Sequence, residues 1–146
     1  MSTSNSQIAF GKSLRDDLFS HVAKEKATEI FQGGLDQRGT QAKNRSTQLR
    51  KFYDELVMWT DKVQTVVKLE PGQKSSDVRE ERYRQSAPFI KMMNAKVAYA
   101  KGRGHIDESF EAMFSHCIKS IIDAETLKHA KLFMEAFMGF YKAQEK

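Results

Sequence analysis

The feature that most constrains the fold of this 146-residue chain is a helical spacing of apolar residues. Between residues 46 and 69, apolar side chains recur mostly at intervals of three or four, which places them along one face of an α-helix. The members of this stripe are Leu49, Phe52, Tyr53, Leu56, Val63 and Val67. The alternation of apolar and polar residues that marks a β-strand is hard to find. We therefore predict an all-α fold, a single compact bundle of about five helices.

The first two predicted helices are separated by a long polar loop. The first begins with a capping box at Ser13 and extends to about residue 32, where two glycines act as stop signals. The second covers residues 46–69 and has Ser46 or Thr47 as its cap.

The other three helices are predicted from caps and from the positions of proline and glycine. Asp77 and Glu80 have capping-box spacing and open the third helix. Pro88 should kink or restart this helix, because proline has no N–H to donate. Asp107 is the predicted cap of the fourth helix and Asp123 that of the fifth, which runs almost to the C-terminus.

Composition limits the class of protein. The chain is 40% hydrophobic and 29% charged, as in globular proteins. No apolar run approaches the roughly 18 residues of a membrane span, so we expect no membrane partner. One cysteine cannot form an internal disulfide, which is typical of a cytoplasmic protein. Residues 1–12 are predicted to be a flexible N-terminal tail, and residues 13–146 a single helical domain.

Two stretches hold all of the positive surplus. Residues 38–51, here called basic segment 1, contain five Lys or Arg and no acid. Residues 79–103, here called basic segment 2, contain seven Lys or Arg against Glu80 and Glu81. The net charge of the whole chain is +5, so the remainder of the chain is net negative. This distribution favours an anionic partner.

Basic segment 1 has two interpretations. Arg50 and Lys51 lie in the first turns of the second helix and could pair with acids four residues further on. However, cations at this end oppose the helix dipole, and Lys43 and Arg45 add two more. A helix N-terminus attracts phosphate through its free N–H groups, so the segment is also a candidate anion site.

Basic segment 2 ends within the sequence NAKVAYAKGRGH, residues 94–105. Lys101 and Arg103 before a glycine are typical of ordinary helix termination. Lys96, Tyr99 and Arg103 would nevertheless share one stripe of the helix. Cations beside an exposed aromatic ring can bind a phosphate backbone and stack on a base or ribose.

No arrangement of residues typical of an active site is found. Cys117 lies among apolar neighbours and is interpreted as a small buried hydrophobe rather than a nucleophile. The four histidines have no metal-ligand spacing, and no glycine-rich phosphate loop is present. We expect no cofactor, no metal and no enzymatic activity.

Two stretches in this order resemble a known family. They are residues 47–56, TQLRKFYDEL, and residues 96–103, KVAYAKGR. The late helix with FMEAFMGFYK is also similar. The resemblance covers roughly residues 13–144 and is to the small subunit of the type III-A CRISPR (Csm) effector complex.

The resemblance implies a non-catalytic subunit that stacks on copies of itself and contacts other CRISPR effector subunits. It also implies that the subunit lines the groove in which a guide RNA–target RNA duplex lies. It implies contacts to the RNA backbone, since base pairing supplies sequence identity in RNA-guided systems. The residues that match its two motifs are Gln48, Arg50, Lys51, Lys96, Tyr99, Lys101 and Arg103. With Lys43 and Arg45 from the preceding loop, these are the predicted RNA-binding residues.

Two alternatives stay open. Residues 132–141 are apolar on more than one face, which is usually core but also suits a protein–protein adaptor that has no nucleic-acid role. A small nuclease that uses His105 beside Lys101 and Arg103 is the other alternative. The salt dependence of RNA binding separates the first alternative from an RNA-binding subunit.

Overall fold

The computed structural model of the protein describes residues 4–145. Residues 1–3 of the predicted tail and Lys146 lie outside this range. Between residues 4 and 145 no β-strand forms, although Leu35 and Gln41 make one isolated antiparallel bridge. The prediction of an all-α fold built as one compact bundle is confirmed.

Within residues 4–145, six α-helices make up the bundle. They are α1 (Ala23–Gly33), α2 (Ser46–Gln64), α3 (Ser75–Lys91), α4 (Met93–Gly102), α5 (Glu108–Lys119) and α6 (Ala124–Gln144). A short 3-10 helix (Asn5–Gln7) and a π-helix (Leu18–Val22) precede them, and the π-helix leads directly into α1. Together, α3 and α4 form the third predicted helix. Its break comes at Met92, after the helix has continued through Pro88.

The C-terminal helix α6 packs against both α1 and α2 and also touches α3. For this reason it needs apolar residues on more than one face. Its buried side chains include Leu127, Ala130, Phe133, Met134, Phe137, Met138 and Tyr141. Phe140 packs against the same core, and no large hydrophobic residue of α6 is exposed. The hypothesis that residues 132–141 carry a free apolar docking face is therefore wrong.

Two of the predicted helix caps are confirmed. The Asp107 side chain accepts a hydrogen bond from the Phe110 backbone N–H at 3.1 Å and begins α5. The Asp123 side chain accepts from the Thr126 N–H at 2.8 Å, and the Thr126 hydroxyl completes a capping box at the start of α6. Both caps satisfy N–H groups that the first turn of a helix leaves without partners.

The first helix begins later than predicted. The π-helix that leads into α1 starts at Leu18 rather than at Ser13. Asp17 occupies the cap position, but its carboxylate is paired with Arg15 at 2.8 Å and makes no capping bond. Within the predicted tail, Ile8 is buried and its carbonyl lies 2.6 Å from His116 Nε2. These contacts attach this part of the tail to the bundle, and the domain boundary at residue 12 stays a prediction.

The second helix ends at Gln64, five residues earlier than predicted. Thr65 and the two valines that follow are β-branched, which lowers helix propensity. Arg79 donates to the Gln64 carbonyl at 3.0 Å, and Arg82 donates to the Thr65 carbonyl, so cations from α3 satisfy the end of α2. Val67, predicted to be on the buried stripe, is 90% exposed.

The predicted capping box at Asp77 and Glu80 does not form. Lys74 occupies the cap position of α3 and makes no side-chain capping bond. The Glu80 carboxylate instead accepts a hydrogen bond from the Ala124 N–H at 2.9 Å, at the start of α6. Glu80 therefore stabilises the N-terminus of a distant helix, which favours a negative charge. Among the helices in residues 4–145, none has both the length and the apolar content needed to span a bilayer.

Candidate nucleic-acid interface

Asn44 joins basic segment 1 to the loop that follows basic segment 2. Its backbone N–H donates to the His105 carbonyl at 3.0 Å. Its side-chain Nδ2 donates to Asp107 Oδ1 at 2.9 Å, and its Oδ1 accepts from the Asp107 N–H at 2.9 Å. The loop before α2 is thereby held against the loop that connects α4 to α5. Residues 43–45 and residues 103–105, which are distant in the sequence, become neighbours.

Asn44 is fully buried, and its bonds also reach α1 and α6. Its Nδ2 also donates to the Ile30 carbonyl at 2.9 Å in α1, and its own carbonyl accepts a hydrogen bond from the Tyr141 hydroxyl of α6. Its backbone φ is 59°, a left-handed conformation that asparagine tolerates better than most residues. The sequence alone placed Asn44 in a polar loop and did not indicate its role. The one available signal was that asparagine tolerates a positive φ better than most residues.

The loop of basic segment 1 presents Lys43 and Arg45 to solvent. Gln41 Nε2 donates to the Lys43 carbonyl at 2.6 Å, and Arg45 Nε donates to the Gln41 carbonyl at 3.0 Å, which shapes the turn into α2. Arg45 occupies the cap position of α2 without a side-chain capping bond.

The predicted capping role of Ser46 or Thr47 is therefore not found. The Ser46 side chain instead lies close to the Glu145 carboxylate. Lys142 and Ser46 together lower the pKa of Glu145, so this carboxylate stays charged beside the start of α2. The candidate anion site at this helix end already has an acidic neighbour.

On α4, the predicted stripe of Lys96, Tyr99 and Arg103 forms. Tyr99 is 67% exposed, and the Arg103 guanidinium lies 5.8 Å from the centre of its ring. Arg103 also donates to the Tyr99 hydroxyl at 3.2 Å. Lys101 lies elsewhere on the helix, with its ammonium 3.5 Å from the Glu111 carboxylate of α5. The structure thus separates Lys101 from the other three.

The α4 stripe adjoins α2. Lys96 Nζ donates to Glu55 Oε1 at 2.9 Å, which links the two helices across 41 residues of sequence. Gln48 and Lys51 lie within about 40° of Glu55 around the α2 axis, since each helical residue advances the direction by about 100°. The side of α2 that carries Gln48 and Lys51 therefore faces the same flank of the bundle as Lys96.

Arg50 lies on a different flank. It is five residues before Glu55, a rotation of about 140° around the helix. Its guanidinium is 3.9 Å from the Asp54 carboxylate, and it lines a shallow groove with Gly139 and Lys142 of α6. The nine predicted residues thus do not form one strip, because Arg50 and Lys101 lie to either side of the others.

Sequence reasoning missed an aromatic pair on this flank. Trp59 of α2 and Phe89 of α3 stack with ring centroids 5.7 Å apart and planes 11° from parallel. Lys62 Nζ is 5.5 Å from the Trp59 ring centre, and the Trp59 indole N–H donates to Glu55 Oε2 at 3.2 Å. Phe89 remains 51% exposed. A signal was available in the sequence, since residues 89, 92, 96, 99 and 103 follow one another at intervals of three and four. This spacing places Phe89 on the same side of a helix as Lys96, Tyr99 and Arg103.

Cys117 occupies the core between apolar neighbours of α5. It is fully buried, and burial raises the pKa of its thiol to about 12. Its interpretation as a buried hydrophobe agrees with this environment. Within residues 4–145, no group of three His, Cys, Asp or Glu side chains is arranged to hold a metal ion.

We predict that Cys117 of the folded protein does not react with iodoacetamide at pH 8 and reacts fully once urea unfolds the chain. The native thiol is both inaccessible and protonated. Because its pKa is raised from 9.0, the thiol contributes stability below pH 9 that is lost as pH rises toward 12. Mass spectrometry of the alkylated protein measures the reaction, and rapid labelling without denaturant would contradict the burial of this group.

The family of the chain follows from a direct comparison. A sequence profile of the Csm2 type III-A family matches residues 24–146. The chain belongs to this family. The match includes α1 from its second residue onward, the other five α-helices and both basic segments, and the resemblance seen in the two sequence motifs is confirmed. No curated protein and no solved structure is significantly similar to the chain.

Membership of the Csm2 family assigns the chain to the type III-A CRISPR effector complex. Csm2 proteins are structural small subunits of this complex, and they associate with its other Csm subunits. The π-helix at Leu18–Val22 precedes the part of the chain that matches the Csm2 profile.

Proposed function

We propose that this Csm2 protein is a non-catalytic subunit that contacts the backbone of the guide RNA–target RNA duplex with one basic flank. The observation that carries the proposal is the Asn44–His105 junction, which brings basic segments 1 and 2 together. The proposed contact residues are Lys43, Arg45, Gln48, Lys51, Lys96, Tyr99 and Arg103. Arg50 and Lys101 are assigned to the margins of this flank, because they project toward α6 and α5.

Point charges on helices suit a subunit that must accept any target sequence. Base pairing with the guide selects the target, so the protein has only to recognise backbone charge and shape. We further propose that copies of the subunit stack head to tail, so that weak contacts from each copy add along the duplex. A cytoplasmic location belongs to the same proposal and is supported by the single cysteine.

The proposal is tested with Lys51→Glu combined with Arg103→Glu in the assembled complex. We expect target-RNA affinity at 0.1 M salt to fall at least about tenfold. The slope of log affinity against log salt should decrease by roughly 1.5, because each lost phosphate contact removes about 0.7–0.9. Filter binding or fluorescence anisotropy across a salt series measures both quantities, and circular dichroism checks that the helices remain.

The matched control is Lys12→Glu combined with Lys24→Glu. Both residues are exposed, and the pair changes the net charge by the same amount in other parts of the chain. RNA affinity should change by less than about threefold in this control. Equal losses in both double variants would show that only net charge matters, and an unchanged affinity in the test variant would refute the proposed flank.

The adaptor alternative requires another apolar surface, because the apolar side chains of α6 pack in or against the core. Gln64 Nε2 donates to the Ala124 carbonyl at 2.6 Å and brings the end of α2 beside the start of α6. Val67, three residues after Gln64, is 90% exposed. Ile122, two residues before Ala124, is 72% exposed. Such apolar residues suit a contact with another Csm subunit. Binding through them would barely respond to salt, which separates this function from RNA contact in the same titration.

A further inference from the structure

A row of aromatic and basic side chains crosses the flank formed by α2, α3 and α4. Its aromatic members are Trp59, Phe89 and Tyr99, and its basic members are Lys62, Lys96 and Arg103. We propose that this row, here called the stacking row, binds unpaired nucleobases of an RNA strand. The inference rests on the proposed RNA contact and adds to it a ligand class, since backbone contacts alone require no exposed rings.

The first observation is the geometry of Phe89. One face of its ring lies against Trp59 at 5.7 Å, nearly parallel, while the side chain as a whole is 51% exposed. Trp59 is itself held by the bond from its indole N–H to Glu55. A half-exposed ring that is backed by a fixed indole is a platform on which a flat base can stack.

The second observation is the pairing of cations with the rings. Lys62 lies over Trp59 at 5.5 Å, and Arg103 lies over Tyr99 at 5.8 Å. Each cation is therefore placed to contact the phosphate of a nucleotide whose base stacks on Phe89 or Tyr99. A surface made to dock an apolar protein partner would gain nothing from a cation at each ring, because burying that charge is costly.

The third observation is the neutralisation of the acid on this flank. Glu55 accepts from both Lys96 at 2.9 Å and Trp59 at 3.2 Å, and its side chain is only 22% exposed. An approaching phosphate would therefore meet a paired carboxylate rather than a free one. Glu55 organises the row by holding Lys96 and Trp59 in place.

The length of the row suits a short strand. Phe89 and Tyr99 are ten residues apart on nearly continuous helices, or about 15 Å at 1.5 Å per residue. This distance corresponds to about four nucleotides at 3.4 Å each. Bases at the two ends of such a segment could stack on the two rings while the intervening phosphates meet Lys96.

The test compares three ten-nucleotide RNA probes with the full chain: a single strand, the same strand fully paired, and a strand of abasic riboses with the same phosphates. Trp59 is the only tryptophan, so its emission reports contact at the row, and anisotropy of labelled probes reports affinity. We expect the single strand to quench Trp59 and to bind about tenfold more tightly than the abasic strand.

Variants separate stacking from other causes. Phe89→Leu keeps an apolar side chain but removes the ring, so it should reduce the preference for bases while leaving affinity for the abasic strand unchanged. Tyr99→Phe keeps the ring and should retain the preference. Val67→Ala, at an exposed apolar residue outside the row, is the matched control and should change neither affinity.

The outcomes distinguish the two proposals. Equal, salt-dependent binding of the single and abasic strands would overturn stacking and leave the backbone contact standing. Failure of every probe to bind at low salt would overturn the stacking proposal, whereas the proposed backbone contact is decided by the titration of the assembled complex. A change in Trp59 emission when other Csm subunits are added without RNA would identify the row as a protein contact and overturn the assignment to nucleobases.

Discussion

Asn44→Ala is expected to lower the free energy of unfolding by about 3 kcal/mol. The substitution removes the amide that bonds the Ile30 carbonyl and both the carboxylate and the N–H of Asp107. Each buried polar group left without a partner costs about 1–3 kcal/mol. Alanine must also adopt the φ of 59° that asparagine tolerates better. The loss should be large because Asn44 is fully buried and water cannot replace these bonds.

Urea unfolding followed by circular dichroism measures this loss. Asn44→Gly relieves the backbone strain but not the missing bonds, so its stability should fall between those of Asn44→Ala and the wild type. The matched control is Asn94→Ala in α4, where Oδ1 has no hydrogen-bond partner. It should cost less than about 0.5 kcal/mol. A loss below about 1 kcal/mol for Asn44→Ala would contradict the central role of this junction.

Gly34→Ala is expected to be the second severe substitution, with a loss of about 2–4 kcal/mol. A Cβ at this position would lie 2.1 Å from the Lys43 carbonyl oxygen and 2.8 Å from its carbon. These are backbone atoms of a turn whose Ala42 and Lys43 N–H groups both bond the Gly34 carbonyl. Relief of the clash requires the turn to move as a unit, and overpacking of this kind commonly costs 1–3 kcal/mol or more.

Gly139→Ala is the matched control for Gly34→Ala. It lies within α6 and a Cβ there would meet nothing within 4 Å, so the substitution should stabilise the helix by about 0.5–1 kcal/mol. Thermal unfolding of both variants measures the difference. Equal stabilities for Gly34→Ala and Gly139→Ala would show that the loop of basic segment 1 is not packed as described.

The two severe substitutions also affect the proposed RNA contact. Both disturb the junction that holds residues 43–45 against residues 103–105. In the conditions where the variants remain folded, affinity for RNA should fall even though no basic side chain has changed. Such a result would link the position of the basic segments, rather than their charge alone, to binding.

The part of the fold that could be predicted from the sequence is the part governed by local interactions. Asp107 and Asp123 were identified as caps because a cap bonds an N–H only three residues away. The stripe of Lys96, Tyr99 and Arg103 was predicted because helical geometry alone places residues i, i+3 and i+7 together. The family resemblance likewise depended on short stretches of residues.

Predictions failed where a distant residue takes over a local role. Glu80 was expected to cap its own helix and instead bonds the Ala124 N–H, 44 residues away. The end of α2 is satisfied by Arg79 and Arg82 from the following helix, so the apolar stripe stops before Val67. Local patterns cannot reveal these partners, because the free energy of each bond depends on which helices pack together.

The sequence by itself determined that this chain is helical, that it concentrates positive charge in two segments and that it resembles the small Csm subunit. The tertiary structure decided which of those charges share a surface. Helix rotation separates Arg50 and Lys101 from the α2–α4 flank, while Asn44 joins loops that are about 60 residues apart. The physical reason is that composition and periodicity act within a helix, whereas the packing of helices and the satisfaction of buried polar groups determine which residues become neighbours.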